Sequence, residues 1–317
     1  TKTLSGKLVE ATEGALLATQ TTDERVSDTT TTSGKRETTY DKYDSRDNLK
    51  ESTDFKGYTT HYVYKGDEDD NGEYIPNAED IDDIVNSLTK NPAEEITSTT
   101  YYARIGDEIT TPITHTIEAN TGDENNIEGA LVAYLSKDER VGTNESEYRY
   151  TYYNGYDNED KLNLSKDFKG YTTAYEYNQD TDDLIISTTF YGATTDTLAS
   201  TTYYERVKNG ITKTLSGKLV EATEGALLAI QSKDERVKGD ARYTEYTKYD
   251  SRDNLKISVD FKGYVTEYLY QGETSPNQYD LTANNIDDIK QSSTYVYGKG
   301  EYVQGEPAVE RLSSTTY

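Results

Sequence analysis

Residues 43–64, YDSRDNLKESTDFKGYTTHYVY, decide the fold, because the chain writes them three times. The string returns as YDNEDKLNLSKDFKGYTTAYEY at 156–177 and as YDSRDNLKISVDFKGYVTEYLY at 249–270. Its closing half has a period of two: Thr60, Tyr62 and Tyr64 share one face and His61 and Val63 the other, and Thr173, Tyr175, Tyr177 and Thr266, Tyr268, Tyr270 repeat the pattern. Alternation of Thr and Tyr over a short run marks a half-buried strand. Gly57, Gly170 and Gly263 punctuate the block where a turn needs a residue free to take positive φ. Three residues earlier stand Asp54, Asp167 and Asp260, carboxylates able to accept backbone N–H groups and fix the corner.

Other anchors recur in the same order around this block. GALLATQTTDERV (14–26), GALVAYLSKDERV (129–141) and GALLAIQSKDERV (225–237) precede it, and acidic pairs follow it: Asp82 with Asp83, Asp182 with Asp183, and Asp287 with Asp288. STTYY at 98–102 and 200–204, and STTY at 314–317, close each unit. The expected organisation is repeat unit 1 over 1–97, repeat unit 2 over 98–199, repeat unit 3 over 200–313, and the start of a further unit at 314–317. Residues 212–229 are identical to residues 1–18, and the pattern opens in mid-unit at Thr1, so the expectation is a window from a longer array. Such self-similarity indicates modules that bury their apolar faces against neighbours.

The rest of the chain reads the same way. SEYRYTYY (146–153) and ARYTEYTKY (241–249) alternate as strands, and Asn154-Gly155, Lys169-Gly170 and Asn209-Gly210 read as turns. Helical spacing passes only in IDDIVNSL (81–88) and in LSGKLVEATEGALL (4–17 and 215–228), the latter equally legible as two strands around a turn. The predicted fold class is all-β, a repetitive array of short antiparallel strands and hairpins.

Composition bounds the function. The formal net charge is −26, a field that repels phosphate backbones and anionic membrane surfaces, which removes nucleic acid from the expected partners. No run approaches the ~20 apolar residues that span a bilayer, so no membrane insertion is expected. With no cysteine, neither disulfides nor thiolate metal sites contribute. Scarce aliphatic side chains and high charge are the composition of a disordered chain. The 31 tyrosines change that reading, since each supplies a large ring to bury and a hydroxyl to satisfy.

The block resembles the YD repeat of the Rhs family, whose unit is similar to YDxxGxLxxxxDxxGxxTxYxYD. Tyr43, Asp44, Leu49, Asp54, Gly57, Thr60, Tyr62 and Tyr64 match it. So do Tyr156, Asp157, Leu162, Asp167, Gly170, Thr173, Tyr175 and Tyr177, and Tyr249, Asp250, Leu255, Asp260, Gly263, Thr266, Tyr268 and Tyr270. The departures are Asp47, Asp160 and Asp253 in place of the family's first glycine, and Lys65, Asn178 and Gln271 after the last tyrosine in place of aspartate. The resemblance implies a continuous sheet spiralling into a hollow shell or solenoid-like barrel, in some members enclosing a toxin.

No nucleophile, base and orienter set can be assembled. The chain has two histidines, His61 and His115, and His61 is replaced by Ala174 and Glu267 in the other copies. Neither a GxSxG nor an HExxH motif occurs. The one ligand motif is DEDDNGE from Asp67: Asp67, Asp69, Asn71 and Gly72 hold positions 1, 3, 5 and 6 of a DxDxNG loop, the arrangement that wraps oxygen ligands around calcium. Ala78 stands at position 12, where a bidentate glutamate belongs, so a solvated acidic loop competes with the calcium reading. Sequons at Asn144 and Asn163 are short enough to arise by chance.

The expected function is therefore structural, not enzymatic: a repeat module of a large extracellular or cell-surface protein, forming the wall of a filament, sheath or shell. Its partners would be other repeats of the same chain or like subunits. A section of a toxin-enclosing shell and a surface module binding glycan or protein through exposed tyrosines are the alternatives.

Overall fold

A computed structural model describes residues 9–10, 16–26, 35–66, 80–105, 108–109, 115–116, 129–140, 149–157, 160–191, 197–237, 242–275, 278–283, 286–297 and 310–316, with backbone alone at 108–109, 115–116, 154, 297 and 310–313. Every regular element among them is a strand. They belong to two compact units, Thr1–Thr22 with Glu37–Thr172 and Asp23–Arg36 with Thr173–Tyr317.

In the first unit the strands are β1 (Gln20–Asp23), β2 (Arg36–Tyr43), β3 (Leu49–Thr53), β4 (Thr59–Tyr64), β5 (Ile84–Lys90), β6 (Ile96–Arg104), β7 (Glu108–Ile109), β8 (His115–Thr116), β9 (Leu131–Asp138), β10 (Arg149–Tyr156) and β11 (Leu162–Asp167). From β1 to β6 each strand lies beside the next, β6 then pairs antiparallel with β9, and β9, β10 and β11 continue the meander. The two-residue strands β7 and β8 form a separate hairpin.

The second unit holds β12 (Thr172–Tyr177), β13 (Leu184–Phe190), β14 (Leu198–Arg206), β15 (Ile211–Lys213), β16 (Leu219–Glu221), β17 (Leu227–Asp234), β18 (Arg242–Tyr249), β19 (Leu255–Asp260), β20 (Val265–Tyr270), β21 (Glu273–Ser275), β22 (Gln278–Tyr279), β23 (Ile289–Tyr297) and β24 (Glu310–Thr316). Its meander runs β13, β14, β17, β18, β19, β20, β23, β24, all antiparallel. Between β14 and β17 the hairpin β15–β16 steps out and touches β18 by a parallel bridge, Glu221 to Lys248. The identical sequence in the first unit makes the same bridge, Glu10 to Lys42. Val220 and Val9, at matching positions, are fully buried.

The helix-compatible stretches are extended where described, at 81–88 and 215–228, and most of the copy at 4–17 lies outside the described residues. Residues 80–82 turn and Ile84 opens β5, while 215–228 folds as a turn, β16, a second turn and the start of β17. The Asn154-Gly155 turn is corrected to a β-bulge inside β10. The strand continues to Tyr156, whose hydroxyl donates to the Ala133 carbonyl, and the missing Cβ of Gly155 leaves room for the Asn163 side chain. Register shifts recur just before the repeated corner in all three copies, at residues 40–43, 153–156 and 246–249. A bulge adds local twist.

Tyrosine rings pack with the aliphatic side chains of both cores. In the first unit Ile105, Val132, Leu135, Tyr134 and Tyr156 are buried together, with Tyr101, Tyr150, Tyr152 and Tyr153 packed against them. In the second, Val207, Ala226 and Leu228 form a buried group against Tyr249. Small hydroxyl residues fill the sheet between rings: Ser52, Ser87, Ser165, Ser187, Ser258 and Ser293 are all buried.

Candidate functional site

The site that recurs is a pair of sharp corners joined by a two-strand ladder. At the first corner, after β2, the Oδ1 of Asp44 accepts the backbone N–H groups of Arg46 (2.8 Å) and Asn48 (2.9 Å). Asp250 does the same with Arg252 (2.8 Å) and Asn254 (3.0 Å), and Asp157 accepts from Lys161 (2.9 Å). The residue three places on is left-handed: φ is 67° at Asp47, 59° at Asp160 and 63° at Asp253, and each N–H returns to the carbonyl of the leading aspartate. These are the positions where the Rhs pattern has glycine. Aspartate is among the few side chains that tolerate this region, so the departure preserves the corner.

The second corner is built alike. Asp54 Oδ1 accepts from Lys56 (2.9 Å) and Tyr58 (2.8 Å), Asp167 from Lys169 and Tyr171, and Asp260 from Lys262 and Tyr264. Gly57, Gly170 and Gly263 follow with φ of 87°, 83° and 82°. Burial pushes the Asp44 carboxyl up, but the Asn48 and Arg46 N–H groups, the Asn48 side chain and the Arg46 charge outweigh it and hold it below the usual range.

Tyrosine hydroxyls tie the ladder together. Tyr62 meets Ser52 across β3–β4 at 3.2 Å and Tyr268 meets Ser258 at 3.1 Å. Tyr64 donates to the Leu49 carbonyl (2.8 Å) and Tyr270 to that of Leu255 (2.7 Å). Tyr43, Tyr156 and Tyr249 donate to the carbonyls of Ala18, Ala133 and Ala229, all in the GAL anchor alongside. Tyr175 and Tyr177 occupy the same positions of β12 and are half-buried. Burial pushes the phenols up: Tyr134 to about 12, and Tyr249 and Tyr270 well above their ordinary value, each with a further push from neighbouring rings or carboxylates.

The pair Asp82–Asp83 staples two neighbours at once, and Asp287 and Asp183 each repeat one half of that arrangement. Its first member holds the YD corner: Asp82 accepts from the Asn48 amide (2.8 Å) and lies 3.5 Å from Arg46, while Asp287 takes a two-pronged grip from Arg252 (2.7 and 2.6 Å) and the Asn254 amide (2.7 Å). Its second member grips an arginine of the STTYY strand. Arg104 forks onto Asp83 (2.7 and 2.6 Å) and spends Nη1 on the Gly129 carbonyl (2.7 Å); Arg206 forks onto Asp183 and reaches the Gly225 carbonyl (2.5 Å). The Arg206 hydrogen bonds, against some burial, hold the Asp183 carboxyl below its usual range. The sequence reading singled out the acidic pairs but not these arginines, whose signal was a constant place in STTYYAR and STTYYER.

Three further features were missed. Asn91 caps an additional corner, its Oδ1 accepting from Ala93 and Glu95 (both 3.0 Å). Ser87 with Tyr102 and Ser187 with Tyr204 repeat the Ser–Tyr pairing at 3.2 Å. In the third copy Tyr279 donates to Asp250 at 2.5 Å and accepts from Asn254, while Arg252 stacks on its ring at 5.2 Å. Asp67, Asp69 and Asn71, the calcium candidates, and Asn144 lie outside the described residues. Asn163 sits inside β11, and His61 faces Glu51 across the β3–β4 ladder at 3.2 Å.

No family model matches the chain and no curated protein does. Among solved structures it is similar to the crystal structure of TcdB2-TccC3-Cdc42 (11% identity, 83% of this chain against 14% of that one, TM-score 0.22). It is also similar to that of TcdB2-TccC3 (10%, 88% against 17%, 0.21). A third is the Photorhabdus luminescens Tc holotoxin pore (11%, 88% against 16%, 0.22). The chain thus spans under a fifth of the length of each of these chains.

Proposed function

We propose that this chain is a structural repeat module of a large extracellular or cell-surface Rhs/YD-like protein, and that its work is to be wall: one segment of a filament, sheath or shell. The observation that carries the reading is that what the sequence repeats is scaffold. Both corner aspartates, the ladder tyrosines and the acidic residues, copied with the block, engage backbone groups or side chains of the same repeated scaffold. An active site has no reason to be copied in step with every turn. The charge of −26 suits a wall whose neighbouring faces must stay apart.

Imaging of the native assembly tests this together with protease shaving of intact cells. The expectation is a periodic wall and release of peptides from this chain before lysis. A globular particle with no periodicity, or peptides released only after lysis, would overturn it. A closed hollow holding a separate polypeptide would replace the wall by a toxin-enclosing shell. No enzymatic role, no bound cofactor and no calcium dependence enter the proposal. Unfolding curves superimposable with and without a calcium chelator are the expected result.

A further inference from the structure

One polar cluster of the second unit lies apart from the repeated corners. The turn between β15 and β16 folds back onto the sheet where Gln231 of β17 stands opposite Glu245 of β18. Thr214, Gln231 and Glu245 are 4%, 2% and 6% exposed. The Thr214 hydroxyl donates to Oε1 of Glu245 at 2.9 Å and accepts the Lys218 N–H at 3.1 Å. The N–H of the next residue, Leu215, donates to Oε1 of Gln231 at 3.0 Å. Glu245 also receives the Ser216 hydroxyl and the Lys218 ammonium. Burial pushes its carboxyl up, but Lys218, Ser216 and Thr214 outweigh that and hold it below the usual range, so it stands ionised.

These groups form a set that the sequence alone did not assemble. A hydroxyl bonded to a carboxylate is an activated nucleophile, and an N–H seated on a carboxamide oxygen is the donor that meets an oxyanion. Ser216 shares the carboxylate but is exposed, whereas Thr214 is shielded from the water that would compete with it.

We propose that Thr214 and Gln231 join in an ester cross-link, with Glu245 moving the proton. Oγ1 of Thr214 bonds to Cδ of Gln231 while Glu245 takes the hydroxyl proton. The charge that develops on Oε1 falls on the Leu215 N–H. The Cδ–Nε2 bond then breaks as Glu245 passes the proton to Nε2, and ammonia leaves. Glu245 returns to its carboxylate, and no oxidant, reductant or co-reactant is consumed. The bond ties the β15–β16 hairpin, which steps out of the meander and meets β18 by a parallel bridge, to the middle of β17. A cross-link restricts the unfolded chain, and in a chain without cysteine no disulfide can do so.

The other copies are built-in controls. Thr3 and Gln20 match Thr214 and Gln231 in the first copy, but Thr39 stands in the place of Glu245; the middle copy has Leu135 and Tyr152 in place of Gln231 and Glu245. One bond per chain is therefore expected.

Mass spectrometry of the denatured full chain tests this. The unaltered protein should be lighter than its sequence by one ammonia. Trypsin should release Thr214–Lys218 joined to Leu219–Lys233 as one branched species, which mild hydroxylamine, a reagent that cleaves esters, separates. Thr214→Ala and Glu245→Gln should each restore the full mass, whereas Thr3→Ala should leave the loss unchanged. The mass of the unaltered protein is decisive even if a variant fails to fold. Full sequence mass in the folded, unaltered chain, a loss that survives Thr214→Ala, or a loss that maps to Asn209-Gly210, where backbone attack on the amide also expels ammonia, would each overturn the proposal. None of these outcomes touches the wall reading, which rests on the repeats.

Discussion

At the scale of single residues the chain solves one problem repeatedly: how to reverse a strand sharply while giving the turn's backbone N–H groups an acceptor. A short carboxylate accepts two N–H groups, and a left-handed residue three places later closes the turn. At the first corner that residue is aspartate, and Asp160 is exposed, so it isolates the backbone effect. Asp160→Gly is expected to keep stability within about 0.5 kcal/mol, whereas Asp160→Val forces a β-branched side chain into positive φ at a cost of ~1–3 kcal/mol. Chemical denaturation orders the two; equal stability of both variants would mean that the corner is not held in that conformation. Asp260→Ala strips two backbone N–H groups of their acceptor, and the expected loss is about 1–3 kcal/mol.

At the scale of elements, neighbouring strands are joined by arginine forks and by close approaches that only glycine permits. Arg206 presents two nitrogens to Asp183 and a third to the Gly225 carbonyl, a geometry that lysine cannot copy. Arg206→Lys is expected to lower stability by ~1–3 kcal/mol, read as a shift of the denaturation midpoint without a change of slope. Two glycines at matching anchor positions separate backbone strain from crowding. Both have positive φ, but a Cβ on Gly129 meets nothing within 4 Å, while one on Gly225 would be driven into the Arg25 carbonyl. Gly225→Ala should therefore unfold the second unit at a clearly lower denaturant concentration than Gly129→Ala unfolds the first relative to the unaltered protein. Equal shifts would show that Arg25 does not lie against that strand.

At the scale of the whole molecule, buried tyrosines supplement a sparse aliphatic core while hydrogen-bonded carboxylates hold corners and forks, and together they make stability pH-dependent at both ends. A buried phenol whose folded pKa is raised contributes stability that is complete below the ordinary phenol value near 10 and is lost as pH rises through the folded value. Tyr134, pushed up to about 12, places part of that loss between about pH 10 and pH 12, with Tyr249 and Tyr270 adding to it. Circular dichroism and tyrosinate absorbance, recorded together, should change in one step. Ionisation of all the rings near pH 10 with the sheet intact would contradict the burial. Carboxylates run the other way. Asp44 and Asp183 are held low, so their contribution is present above the ordinary carboxylate range and disappears as pH falls through their lowered values, which predicts acid destabilisation below about pH 4.

Most of the architecture was legible from residues 43–64. A period of two is a property of neighbours along the chain, and so is the distance from an aspartate to the glycine that ends its turn, so the strands, both corners and their recurrence follow from local chemistry alone. The same locality misleads at Asn154-Gly155, a turn signal in isolation, where pairing with β11 carries the strand through as a bulge. The sequence by itself determined the all-β class, the corner aspartates and the place of the repeated tyrosines. Only the tertiary structure decided that the pair Asp82–Asp83 faces two ways, that Arg104 and Arg206 grip Asp83 and Asp183, and that buried serines meet the ring hydroxyls, because those partners lie 10 to 35 residues apart and meet only once the strands have paired.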